Sequence, residues 1–189
     1  MNITENKVRF LERYNKSGTV EEALRKAISA AVQHNSLYSK GVSNETRSDI
    51  RGYWSEQLVD IAQNRPAATK AVYELQILEL QNRMTVRFPT KNYFSPIKPG
   101  ILDGLRISHS QKSLSIFSKH LWCLNLIAEP VFCAVDAIIL GKTNAPLHIK
   151  WTKISTIEAH RKSYKFIEDE ASKSGMPIAQ WELASFAAS

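Results

Sequence analysis

Cysteine is nearly absent. The 189 residues contain two, Cys123 and Cys133, which excludes a disulfide scaffold and points to a reducing, cytoplasmic setting. Glycine and proline are scarce, seven of each, so the chain is neither collagen-like nor of low complexity. No apolar run approaches the roughly 18 residues that a membrane-spanning helix needs, and no membrane partner is expected. The first residues, Met1-Asn2-Ile3-Thr4-Glu5, lack the basic and apolar regions of a secretory leader. There is no Walker loop, dinucleotide fingerprint, nucleophile-elbow serine or HExxH pair. His120 and Cys123 share a helix face and Cys133 follows, but their spacing matches no zinc pattern, so no metal and no other cofactor is expected.

What is present reads as helix. The chain is 43% hydrophobic and 23% charged, ordinary for a globular protein. Val8, Leu11 and Tyr14 sit at helical spacing. Thr19-Val20-Glu21-Glu22 reads as a capping box, and Ala23, Leu24, Ala27, Ile28, Ala31 and Val32 continue as a stripe. A helix is expected over 45–63 with Ile50, Tyr53, Trp54, Leu58 and Ile61 inward. Pro66 suits the first turn of the next helix, with Val72, Leu75, Leu78 and Met84 inward. Ser108 or Ser110 caps a helix running to about Leu126, and a short helix starts near Asp136. A second capping box, Ser155-Thr156-Ile157-Glu158, opens another. The pattern predicts an all-α, multi-helix fold of about seven to nine helices. Residues 88–104 hold three prolines and three aromatics, and read as an irregular connection with room for a short hairpin. They divide an N-terminal lobe, 1–87, from a C-terminal lobe, 105–189, with a cleft between them or with both merged into one compact domain.

The formal charge is +7, and it is clustered. Between Leu80 and Ala128 stand Arg83, Arg87, Lys91, Lys98, Arg106, Lys112 and Lys119 against the single acid Asp103. Such a cluster predicts a face for polyanions, most simply nucleic-acid phosphates. Its expected contacts are Arg83, Arg87, Lys91, Arg106, His109 and Lys119. Phe94 and Trp122 are aromatics able to stack on an extruded base.

The chemistry concentrates in two segments, the helix holding Lys112 and Lys119, and Pro130-Val-Phe-Cys-Ala-Val-Asp136. A lysine near the start of an apolar helix loses hydration and sits at the positive end of the helix dipole. Both effects favour its neutral, nucleophilic form. An aspartate opening the next helix can cap it with one oxygen and face a shared cleft with the other. An amine and a carboxylate so placed suit attack on a sugar C1′ with Schiff-base formation.

This arrangement resembles the helix–hairpin–helix DNA glycosylases, most of all their archaeal 8-oxoguanine branch. The likeness lies in a lysine beginning an apolar helix, a second lysine two turns on, then a proline turn and the pair Val135-Asp136. It covers only about residues 102–140. The resemblance implies that Lys112 is the Schiff-base nucleophile, that Asp136 is its catalytic carboxylate, and that damaged DNA is the partner. The glycine-rich hairpin of that superfamily is replaced by Leu102-Asp103-Gly104-Leu105-Arg106-Ile107-Ser108-His109. The four-cysteine cluster motif of endonuclease III is absent too, so no iron–sulfur centre is expected. The alternatives are a non-catalytic nucleic-acid-binding protein using the basic face, and a helical interaction protein of a phage or mobile element.

Overall fold

Most helices begin where a side-chain oxygen can receive an orphan backbone N–H. The computed structural model describes residues 2–34, 37–95 and 105–187, and the chain is about 67% helical. Asn2 caps α1 (Ile3–Tyr14), Thr19 caps α2 (Val20–Val32), Ser43 caps α3 (Asn44–Leu58) and Thr69 caps α4 (Lys70–Arg87). A short α5 (Thr90–Tyr93) leads toward α6 (Ile107–Cys123). Asp136 caps the one-turn α7 (Ala137–Leu140), and Thr156 caps α8 (Ile157–Lys173). The last helix is α9 (Ile178–Ala187). No strand occurs among the described residues, and no helix among them is long and apolar enough to cross a membrane.

Several local expectations shift. The helix expected over 45–63 is α3 followed by a π-helical turn, Val59–Gln63, closed by the Asn64 N–H on the Val59 carbonyl at 3.1 Å. Helix α4 starts at Lys70, beyond Pro66, because the Thr69 hydroxyl receives the Val72 N–H. In the second box the cap is Thr156, not Ser155. In the first, Glu22 reaches past Thr19 to the Ser17 N–H and hydroxyl. Helix α6 begins at Ile107 after Arg106, not at Ser108 or Ser110. Val8 is half exposed.

The inward face of α4 also differs. Leu75 is 65% exposed and Val72 and Leu78 also face out, whereas Tyr73, Ile77, Leu80 and Met84 are fully buried. Both stripes have helical spacing, so periodicity cannot choose between them. Polar partners choose: the Tyr73 hydroxyl pairs with Ser115 at 2.6 Å, and its ring stacks on Phe132 at 3.7 Å. The Gln76 amide donates to the Ile61 carbonyl.

Helix α6 is the axis of the molecule. All its residues except Ile116 are buried. Its serines let neighbours approach closely, and α2 lies along it, presenting Ala23, Ala27 and Ala31. One apolar cluster runs from Ala23 to Trp181, so both halves of the chain share a core around α6. A smaller cluster joins Phe10 of α1 to Ala179 and Leu183 of α9. In the irregular connection, Phe94 pairs with Tyr38 through an isolated antiparallel bridge; no local hairpin forms over the described part. Residues 96–104 lie outside the described residues.

Burial of two histidines has a pH consequence. His160 is fully buried, and neither ring nitrogen has a hydrogen-bond partner among the described residues. Burial depresses its pKa to about 4, and that of His120 to about 3. The unfolded chain therefore binds these protons near pH 6.5 while the fold refuses them. Stability is full above about pH 6.5 and falls as the pH drops toward 4. Urea unfolding at pH 7, 5.5 and 4.5 is expected to show this loss, and His160→Phe to flatten it. An unchanged slope in that variant would mean that His160 contributes nothing to acid sensitivity.

Candidate active site

Lys112 lies in the second turn of α6, and its side chain is about nine-tenths buried. Its Nζ is 3.5 Å from Asp136 Oδ2 and 4.0 Å from the centroid of the Trp151 ring, which forms a cation–π platform. Burial lowers the lysine pKa, opposed by Asp136. Burial disfavours the ammonium while the Trp151 ring favours it, and the carboxylate beside it is placed to receive or return a proton.

Asp136 reaches this position from a stretch with no regular structure. Its Oδ1 receives the Ile139 N–H at 3.0 Å, capping α7, which leaves Oδ2 for Lys112. The three residues before it are held by side chains from three helices. Tyr164 of α8 accepts the Cys133 N–H at 3.2 Å, Glu182 of α9 accepts the Ala134 N–H at 3.4 Å, and Gln111 of α6 accepts the Val135 N–H at 2.9 Å. A buried irregular segment must find such partners for its backbone.

A second buried pair lies two turns along α6. Lys119 Nζ is 2.9 Å from Glu182 Oε1, with both side chains at least 95% buried. The ammonium also sits 4.1 Å from the Phe186 ring centroid and 5.3 Å from that of Phe10. Burial raises the Glu182 pKa, outweighing the pull of Lys119.

Lys112, Asp136 and Lys119 border one cleft of about 530 Å³, within the usual range for small-ligand sites. Lys112, Ile116, Lys119 and His120 form one wall, and Asp136 and Ile138 one end. Helix α2 supplies Lys26, Ser29, Ala30 and Gln33, while Phe10, Tyr14 and Phe186 supply an aromatic wall. A small notch beside it, sharing those three aromatics, carries the exposed Arg9 and Arg13. Sequence reasoning missed Glu182, Phe10, Tyr14, Phe186 and the α2 residues. They come from the two ends of the chain, and the only local signal was the polar spacing of Lys26, Ser29 and Gln33 on α2.

Of the residues expected to form a basic face, His109 and Lys119 are buried and Arg83 already has acidic partners. Arg83 is occupied by Asp60 at 2.7 Å, Gln57 at 2.6 Å and Glu79. Arg87 lies over Phe88, and Arg106 donates to the Ser95 carbonyl at 3.0 Å. His109 is fully buried near Trp54, and Lys119 is inside the protein. Lys91 belongs to α5, and its side chain lies outside the described residues, as does Lys98. Two of these cations are met by acids from outside the segment: Arg83 by Asp60 of the π-helical turn and Glu79 of α4, and Lys119 by Glu182 of α9. Nor do the two expected stacking aromatics reach the cleft. Phe94 is buried at its bridge to Tyr38, and Trp122 is buried beneath Lys7. Cys123 and Cys133 are buried free thiols, the first pushed up to about 12 by burial. Among the described residues no three His, Cys, Asp or Glu side chains are grouped to hold a metal.

Comparison with protein-family models, with curated proteins and with solved structures finds no match.

Proposed function

We propose that the chain is a DNA base-excision glycosylase/lyase-like enzyme that acts on damaged DNA through a lysine Schiff base. The observation that carries this reading is the buried Lys112–Asp136 pair, 3.5 Å apart, at the border of a cleft with apolar and aromatic walls. It accords with the resemblance of residues 102–140 to the helix–hairpin–helix glycosylases. In the reaction, neutral Lys112 attacks C1′ of an extruded nucleotide. The C1′–N bond to the base breaks, and the base leaves with the electron pair. Asp136 stabilises positive charge on the sugar, takes a proton from Nζ once it has bonded to C1′, and passes that proton to the leaving base. The Nζ lone pair then expels O4′ as the C1′–O4′ bond breaks, O4′ takes a proton from water, and the iminium remains. Phe10, Tyr14 and Phe186 supply the stacking that an extruded base loses.

Phosphate contacts in this reading fall to Lys26, Arg9 and Arg13, whose cations flank the cleft. Replacing all three by alanine is expected to weaken duplex binding about 10- to 100-fold and to reduce the salt slope by about 2 to 3. Replacing Arg83 is expected to change little, because its charge is already matched. Fluorescence anisotropy from 50 to 200 mM salt reads both. Binding that depends on Arg83 and ignores the other three would overturn this placement. For the activity, wild-type protein incubated with a panel of oxidised, deaminated and alkylated duplexes plus borohydride is expected to form a covalent adduct. No adduct on any of them would sink the enzyme reading.

A further inference from the structure

We infer that Gln111 is a positioning residue that holds Asp136 opposite Lys112, by clamping the backbone of Val135 to the helix that carries the amine. The inference rests on the proposed function insofar as it concerns catalysis, but its geometric content does not require DNA.

Gln111 is fully buried. Its Oε1 receives the Val135 N–H at 2.9 Å, and its Nε2 donates to the Val135 carbonyl at 2.8 Å. The same Nε2 also reaches the Ser108 carbonyl at 3.3 Å. One side-chain amide thus pairs with both polar groups of one residue, as a neighbouring strand would. The registers match: Gln111 directly precedes Lys112, and Val135 directly precedes Asp136. A two-point clamp fixes both the distance and the rotation of the Val135 peptide, and so the direction in which the next side chain leaves the backbone.

Among the described residues no other side-chain hydrogen bond holds the Val135 peptide. Residues 124–136 contain no helix or strand that could carry Asp136 to α6. The cap on Ile139 orients the carboxylate relative to α7 only. The Tyr164 and Glu182 contacts are single bonds to earlier residues, and a single bond leaves rotation free. Gln111 is itself anchored, since the Tyr73 hydroxyl meets its carbonyl at 3.2 Å. Only an amide side chain of this length offers one donor and one acceptor in the required plane.

The test follows the titration of Lys112 without DNA. Trinitrobenzenesulfonate labels neutral amines, and mass spectrometry of the Lys112 peptide gives its labelling rate against pH. The midpoint reports how well Asp136 supports the ammonium, whereas the high-pH plateau reports access. Asp136→Asn is expected to move the midpoint to lower pH, and Gln111→Met to move it the same way. The labelling rate of Lys112 at pH 7 is expected to rise about tenfold in either variant, once corrected for the plateau. The double variant is expected to match Asp136→Asn alone, since a carboxylate that is absent cannot be positioned. Gln111→Asn, one methylene too short to reach Val135, is the second probe if Gln111→Met does not fold.

A folded Gln111 variant with a wild-type midpoint, beside a shifted Asp136→Asn, would overturn the inference. So would shifts that add in the double variant. If neither Gln111 variant folds, the residue supports the fold rather than the carboxylate, and the inference also falls. A wild-type protein that traps no DNA would remove the proposed function while leaving the labelling result to stand for or against the clamp.

Discussion

Lys112→Gln is expected to abolish borohydride-trapped adduct on damaged duplex, by about 10³-fold or more, while duplex affinity stays within about threefold. Glutamine keeps most of the length and a hydrogen-bond donor for Asp136 Oδ2, so the cleft wall is retained. It has no nucleophilic lone pair, so the bond to C1′ cannot form. The separation of chemistry from binding follows from the geometry: Lys112 is about nine-tenths buried beside Asp136 and Trp151, whereas the cations that flank the cleft are on α1 and α2. Asp136→Asn is expected to slow trapping about 10²- to 10³-fold, because the amide neither stabilises developing positive charge nor shuttles a proton. Single-turnover trapping assays on both variants, with anisotropy for binding, check the pair. Retention of adduct in Lys112→Gln would mean that another amine does the work.

Breaking the Lys119–Glu182 pair is expected to have the largest effect on stability. Lys119→Met leaves a carboxylate in the core whose pKa is already raised by burial, with the Ala134 N–H left to support it among the described residues. Glu182→Leu leaves an ammonium among Phe10 and Phe186. Each single change is expected to cost about 3–5 kcal/mol, since an uncompensated buried charge must be tolerated or neutralised. The double variant Lys119→Met/Glu182→Leu removes both charges and fills the space with apolar atoms, so much of the loss is expected to return. Urea unfolding at pH 7 reads the cycle. Additive losses would show that the two side chains act independently and that the 2.9 Å contact carries no coupling.

The helical stripes of α2 and α3 were legible because their buried residues are apolar, whereas α6 buries its serines, Gln111, Lys112 and Lys119 along with its apolar residues. Helix α4 was not legible, since two apolar stripes compete and the choice depends on Ser115 and Ile61, far along the chain. Lys112 and Asp136 were singled out from an apolar lysine helix and a capping aspartate, and the resemblance gave them their roles. Their separation of 3.5 Å depends on Gln111 and Val135, which nothing in the local pattern marks. The basic face was read from charge counted along the sequence. Folding matches Arg83 to Asp60 and Glu79 and draws Lys119 into the core against Glu182, which a charge count along the chain does not reveal. The aromatic wall was beyond reach for a simpler reason: Phe10 and Phe186 stand near opposite ends of the chain, and each alone reads as ordinary core.

Peptide mapping of the trapped wild-type complex tests the central claim most directly. The protein is reacted with damaged duplex in borohydride, digested with protease and nuclease, and the sugar-bearing peptide is sequenced by mass spectrometry. The account predicts a reduced sugar remnant on the peptide containing Lys112. A remnant on Lys26 or Lys119 instead, or no modified peptide from any damaged duplex, would contradict it.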